Sequence, residues 1–306
     1  MRFDRDEAVL ASVLASLWHW RIHLAVAAAC GFIVAIIGLR LTDPRYASEA
    51  VIQLDFARVE TANAVPTPPS DDRVVRWGMG DAAAGWLIAQ GAALVLGALI
   101  LTLLGYGAGT STDDLSLGAI ALTYPPLWLG FIGVPIWAAA TKGRGWIEDF
   151  RVAIRWTDVP LGIVAGVVAQ IVLVPLVSWP ILELTGKTVE DLSGPAEALG
   201  DKAHGAGGAV LLILLVAIGA PLVEELFFRG LFLRALQKRG LPDWAAVVGS
   251  AAVFGAVHFQ LLQFVGLFAI GLVLAVMAVR TGRLGMSIAT HMGFNATSVV
   301  VLYLTG

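Results

Sequence analysis

The stretch Ala209 to Phe228, AVLLILLVAIGAPLVEELFF, runs for twenty residues and is apolar throughout except for two adjacent acids, Glu224 and Glu225. An α-helix rises about 1.5 Å per residue, so a run of about 20 apolar residues matches about 30 Å of hydrocarbon. The run is continuous and does not alternate, which fits a membrane helix and not a barrel strand. Seven further apolar runs lie along the chain: Ile22 to Leu39, Ala83 to Leu104, Leu117 to Ala140, Val159 to Leu182, Trp244 to His258, Leu261 to Val279 and Leu284 to Leu304. The expected fold is therefore all-α, a polytopic membrane helix bundle of about eight transmembrane helices. Composition agrees: 58% of the 306 residues are hydrophobic and 14% charged. Soluble domains average about 45 to 50% apolar and about 25% charged. The net charge of −3 and the short charged blocks argue against a nucleic-acid surface. A single cysteine, Cys30, excludes both a disulfide framework and a Cys-ligated zinc site.

Lysine and arginine orient the bundle. Connections after the odd-numbered runs carry 15 of the 20 basic residues, among them Arg144, Arg151, Arg234, Arg239 and Arg283, and the other side carries five. Positive charge accumulates on the cytoplasmic side, so both termini are expected outside. A cleaved signal peptide would reverse this bias, and Asp4, Asp6 and Glu7 suit its leader poorly. Two connections are long. Thr42 to Asp81, with Pro66, Pro68 and Pro69, reads as a flexible segment, and Glu183 to Gly208 as a Gly-rich outer connection. Trp18, Trp20, Trp77, Trp146, Trp156, Trp179 and Trp244 near run ends read as interfacial anchors. The i, i+4 pair His19 and His23 reads as part of an interfacial helix end.

Ionisable groups inside hydrocarbon cost several kcal/mol each and mark function by default. Here they concentrate in the last four runs, as Glu224, Glu225, Arg229, His258 and His291, with the polar Asn295. If the fifth and sixth runs turn back at Arg239-Gly240-Leu241-Pro242-Asp243, Glu224 and His258 each stand 17 residues from Leu241. That puts both about 25 Å from the turn. The seventh and eighth runs turn at Thr281-Gly282-Arg283, which brings His291 into the same half of the bundle. Glu225 and Arg229, four apart with the acid first, can pair along one helix face and leave Glu224 facing elsewhere. Pro221 lacks a backbone donor and in an α-helix would free the carbonyl of Ala217. Each pair also has an ordinary explanation: a buried salt bridge for Glu225 and Arg229, packing for Phe254 and His258, interhelical hydrogen bonding for His291 and Asn295. Taken singly, those explanations are the better ones. Three such faces at compatible depths favour an active site within the last four helices.

Glu224-Glu225-x-x-x-Arg229, Phe254-x-x-x-His258 and His291-x-x-x-Asn295, in that order, resemble the CPBP intramembrane protease family, which includes the CAAX prenyl endopeptidases and the bacteriocin-processing or immunity-related ABI proteins. The resemblance spans about Ala209 to Tyr303 and suggests residues 209–306 as a peptidase core behind an amino-terminal four-helix region, residues 1–208. It implies a glutamic-type intramembrane endopeptidase without a metal or other cofactor. Glu224 and His258 would activate a water, His291 and Asn295 would form the oxyanion hole, and Glu225, Arg229 and Phe254 would support them. The implied partners are the bilayer and a peptide or membrane-protein substrate, lipidated in the prenyl-protein branch of the family. Arginine outnumbers lysine 16 to 4, which fits a bacterial plasma membrane with the active site towards the cytoplasm.

Rival chemistries have weaker footing. Zinc could be held by Glu224, His258 and His291, but no His-Glu-x-x-His occurs. Ser250, Ser287 and Ser298 lie in no Gly-x-Ser-x-Gly setting. A transporter would show paired broken helices in matching halves, and none is evident. A non-catalytic immunity or scaffolding protein is the remaining alternative, and it would tolerate Glu224→Gln.

Overall fold

The computed structural model describes residues 75–107 and 109–305. The run Ile22 to Leu39, together with His19, His23, Cys30 and nearly all of the Thr42 to Asp81 connection, lies outside the described residues. Helices in chain order are α1 (Met79–Leu103), α2 (Leu117–Lys142), α3 (Asp158–Thr185), α4 (Val189–Gly200), α5 (Gly205–Lys238), α6 (Asp243–Ala256), α7 (Phe264–Thr281) and α8 (Gly285–Thr305). All of these except α4 and α6 are long and apolar enough to cross a membrane. The fold is thus an all-α polytopic membrane bundle with six such helices among the described residues.

Two elements depart from expectation. The run Trp244 to His258 forms only the 14 residues of α6, about 21 Å of helix. His258 therefore sits on the turn between α6 and α7, not on a helix. Phe259 explains the break, since its φ of 55° lies in the left-handed region that an L-residue cannot propagate along a right-handed helix. The outer connection contains a helix, α4, started by a reciprocal cap. The Asp191 backbone N–H donates to Thr188 Oγ1 at 3.3 Å and the Thr188 N–H to Asp191 Oδ2 at 3.0 Å.

Proline disturbs the long helices without ending them. Pro125 and Pro126 in α2 are followed by a π-helical turn at Leu129–Gly133. In α5, π-helical stretches at Ile213–Gly219 and Glu225–Phe232 bracket Pro221 and Glu224. A wider turn lets the chain continue past a missing donor and resets which residues share a face.

Small residues set the closest crossings. Gly162 and Gly166 of α3 lie against α8, where a Cβ added to Gly166 would stand 2.1 Å from the Thr290 carbonyl oxygen. A Cβ on Gly293 of α8 would meet the Ile163 carbonyl at 2.6 Å. Gly130 of α2 touches the α1 backbone at Gly85 and Ala89 in the same way. In lipid, where apolar burial gives little drive, such contacts hold helices together. The Gly162-x-x-x-Gly166 spacing was available in the sequence as the signal for this crossing.

The two ends of the bundle separate by charge. At one end, Leu284 and Gly285 backbone N–H groups donate to the carbonyls of Arg151 and Ala153 at 3.1 and 3.0 Å. Arg283 pairs with Asp158 at 2.6 Å, and Lys238 Nζ reaches the Val75 carbonyl at 3.1 Å. The basic connections after α2, α5 and α7 therefore share one end, as the charge count required. At the other end Gln263 Nε2 donates to the Leu192 carbonyl at 2.8 Å, which ties the α6–α7 turn to α4. Trp77 departs from its expected anchoring role. It is buried, and its Nε1 donates to Asp149 Oδ2 at 2.8 Å. Trp156, Trp179 and Trp244 are exposed, as an interfacial belt requires.

Candidate active site

The centre of the site is a carboxylate with no exposure. Glu225, on the π-helical part of α5, receives Arg229 Nη1 on Oε1 at 2.8 Å and the Ser287 hydroxyl of α8 on Oε2. His291 Nδ1 also lies 2.9 Å from Oε1. A carboxylate can take several donors, and this one has three. Arg229 is equally buried. Its Nη2 donates to the Gly271 carbonyl of α7 at 3.1 Å, and its guanidinium lies 4.4 Å from the Phe254 ring centroid. That geometry adds cation–π attraction to the ion pair. Arg229 Nε has no partner. Three helices thus close around one charge pair, and breaking it would strand a charge in a dry interior.

Glu224 behaves differently. One residue earlier, its side chain keeps 21% exposure, and it faces His291 Nε2 at 3.9 Å. That separation exceeds a direct hydrogen bond and is the kind a bridging water fills. His291 is therefore gripped at Nδ1 by Glu225 and presents Nε2 to Glu224. On geometry, Glu225, itself paired with Arg229, orients His291, which gives a specific form to the supporting role that the resemblance implied for both. Ring orientation fixed from the far nitrogen is the arrangement that sets a histidine's tautomer.

His258 is held in a parallel way. Its Nδ1 lies 2.7 Å from the Phe254 carbonyl, and its ring meets the Phe254 ring edge-on at 4.8 Å. Phe254 also meets His291 edge-on, at 5.7 Å. Further aromatic contacts run from Phe131 of α2 through Phe227 and Phe228 of α5 to Phe254. Phe254 therefore separates and seats both imidazoles, beyond the packing role the spacing suggested.

Asn295 lies one turn along α8 from His291, and its Nδ2 donates to the Val216 carbonyl at 2.8 Å. The sequence pointed to Ala217 as the carbonyl freed by Pro221. The π-helical register shifts that by one, because the Ala220 N–H donates five residues back, to Leu215. Pro221 would be the next donor, to Val216, and has no N–H to give. Asn295 supplies it instead, which occupies one of its two amide hydrogens.

The structure brings Glu224, Glu225, Arg229, Phe254, His258 and His291 together and places Asn295 beside them as a tie from α8 to α5. Ser287 is the participant the sequence did not assign, having been considered there only as a nucleophile. It stands four residues before His291, so Ser287, His291 and Asn295 form a polar line along one face of α8. An open cavity of about 580 Å³, lined by Tyr106, Asp113, Asp201, Lys202 and His204, lies at the opposite end from the basic connections, apart from this cluster.

The buried Glu/His cluster, together with a family match over the same helices, supports a Glu/His-based catalytic site of a membrane-embedded hydrolase. Residues 206–297, about a third of the chain, match the model of the family described as "Type II CAAX prenyl endopeptidase Rce1-like". An "Uncharacterized 24.3 kDa protein" of Escherichia coli is 28% identical over 72% of this chain and 92% of its own length. A Bacillus subtilis (strain 168) protein named "Putative membrane peptidase YdiL" is 32% identical over 31% of this chain and 38% of its own. No solved structure matches the chain significantly. With bacterial relatives and six helices of spanning length among the described residues, the chain is a bacterial multi-pass plasma-membrane protein.

Proposed function

We propose that the chain is an intramembrane endopeptidase that cleaves a peptide bond with a water activated by Glu224 and His258. The observation that carries this is the division of labour between neighbouring acids. Glu225 is saturated by Arg229, Ser287 and His291, while Glu224 keeps its exposure and faces His291 Nε2 across 3.9 Å. As general base, Glu224 takes a proton from the water, and the hydroxide adds to the scissile carbonyl carbon. The developing oxyanion is met by the second amide hydrogen of Asn295 and by His291 Nε2 when that nitrogen carries a proton. Collapse expels the amine, which takes the proton back from Glu224.

In this proposal residues 209–306 carry the chemistry, and residues 1–208, the amino-terminal four-helix region, are given no part in it. The bundle has about eight spans, with Ile22 to Leu39 first and α6 plus its turn sixth, and the basic end faces the cytoplasm. The substrate is a peptide or membrane-protein tail entering from that side. Comparing new peptide termini in membranes of cells that carry wild type or Glu224→Gln at matched expression tests the reading. Termini found only with wild type identify substrates. Identical sets, with both proteins folded and equally abundant, favour the scaffold alternative.

A further inference from the structure

The cations at the basic end of the bundle are not all used alike. Lys142 pairs with Asp81, Arg144 with Asp149 and Arg283 with Asp158. Lys238 donates to backbone carbonyls and lies over the Trp77 ring. Arg234 on α5 has no such partner among the described residues. Its Nε is buried and makes no hydrogen bond. The charge that bears on it is that of Arg151, which has the same sign, and among the described residues neither arginine forms an ion pair. Half-burying a guanidinium beside a like charge, with no protein group to accept from its Nε, is unfavourable and is relieved when an anion joins them.

The backbone holds the pair in place. Arg151 has a φ of 52°, a conformation uncommon for a residue other than glycine, and its carbonyl accepts from the Leu284 N–H at 3.1 Å. Its neighbour Phe150 is fully buried against Gly230 of α5, one turn before Arg234. Its guanidinium reaches the left-handed turn at Gly282, where an added Cβ would stand 3.4 Å from Nη1. Two connections and the end of α5 therefore meet around these two arginines. Arg234 is four residues inside Lys238, about 6 Å along α5 from its basic end. Ile154 and Trp156 follow Arg151 and are 59% and 84% exposed, an apolar and aromatic flank suited to the interface.

We propose that Arg234 and Arg151 form a site for the phosphate of an anionic lipid headgroup at the basic end of the bundle. The forked guanidinium geometry suits a phosphate's oxygens, and the exposed apolar flank favours a lipid over a soluble anion. This site is separate from the catalytic cluster and needs no substrate to be tested.

The full chain, purified in nonionic detergent, is titrated with phosphatidylglycerol or with phosphatidylcholine while its thermal unfolding midpoint is followed. Phosphatidylglycerol is expected to raise the midpoint of wild type and phosphatidylcholine to leave it unchanged. In Arg234→Gln, and in the exposed Arg151→Gln, the half-saturating phosphatidylglycerol concentration should rise by about tenfold or more, the loss of a charge-assisted hydrogen bond. Arg280→Gln, a neighbouring exposed cation, should titrate like wild type. A wild type indifferent to headgroup, variants that respond like wild type, or an equal loss in Arg280→Gln would overturn the proposal. An equal shift with inorganic phosphate alone would overturn the lipid assignment.

Discussion

Two adjacent glutamates, identical in side chain, have opposite surroundings, and substitutions at them should separate chemistry from stability. Glu224→Gln is expected to abolish cleavage and leave the unfolding midpoint near that of wild type, because no counter-ion depends on it. Glu225→Gln leaves Arg229 buried without its partner charge and is expected to destabilise by about 3 to 5 kcal/mol. Thermal unfolding in detergent, alongside cleavage of a substrate found in the terminal-peptide comparison, reads both. Equal midpoints for the two variants would refute this division. Ser287→Ala removes one donor from the ionised carboxylate and should cost about 1.5 to 3 kcal/mol, with activity falling as His291 loses its fixed orientation. The acid motif put both glutamates in view but could not say which one is spent on structure. That depends on Ser287 and Gly271, distant in sequence, arriving at Glu225 and Arg229.

At the level of the helix, the active face of α5 depends on its π-helical register. Pro221→Ala restores an N–H that competes with Asn295 for the Val216 carbonyl, so Asn295 should be released. The expected outcome is a drop in cleavage with an unchanged or raised unfolding midpoint. A drop in midpoint as large as the drop in activity would argue that the proline matters only to packing. Gly166→Ala drives a methyl into the α8 backbone at Thr290 and should cost about 1 to 3 kcal/mol by overpacking. Because α8 also carries His291 and Asn295, activity should fall further than stability alone explains. Helix positions were legible from apolar run length. The ends were not, because they depend on local backbone geometry, as Phe259 shows for α6.

Across the whole molecule, the separation of charge between the two ends is the feature that orients the protein. With Cys30 replaced by Ser, a cysteine placed at Arg239 should react with a membrane-impermeant maleimide only in inverted vesicles. One at Lys187 should react only in intact cells. The reverse pattern would overturn the proposed orientation. The same end holds Arg234 and Arg151, so lipid charge and orientation are read on one surface.

Apolar run length and the placement of lysine and arginine determined by themselves that this is a helical membrane protein with its basic connections at one end. Both follow from the thickness of the bilayer and the cost of moving charge across it, which act on each segment separately. The three spaced motifs located the candidate site for the same reason, since i, i+4 spacing is a property of a single helix. Tertiary structure alone decided that Glu225 grips His291, that Asn295 caps Val216, that His258 sits on a turn and that Arg234 is left unpaired. The first two rest on atoms from different helices meeting within hydrogen-bond distance, the third on backbone geometry at Phe259 and the last on which groups the packing leaves without a partner, and apolar run length encodes none of them.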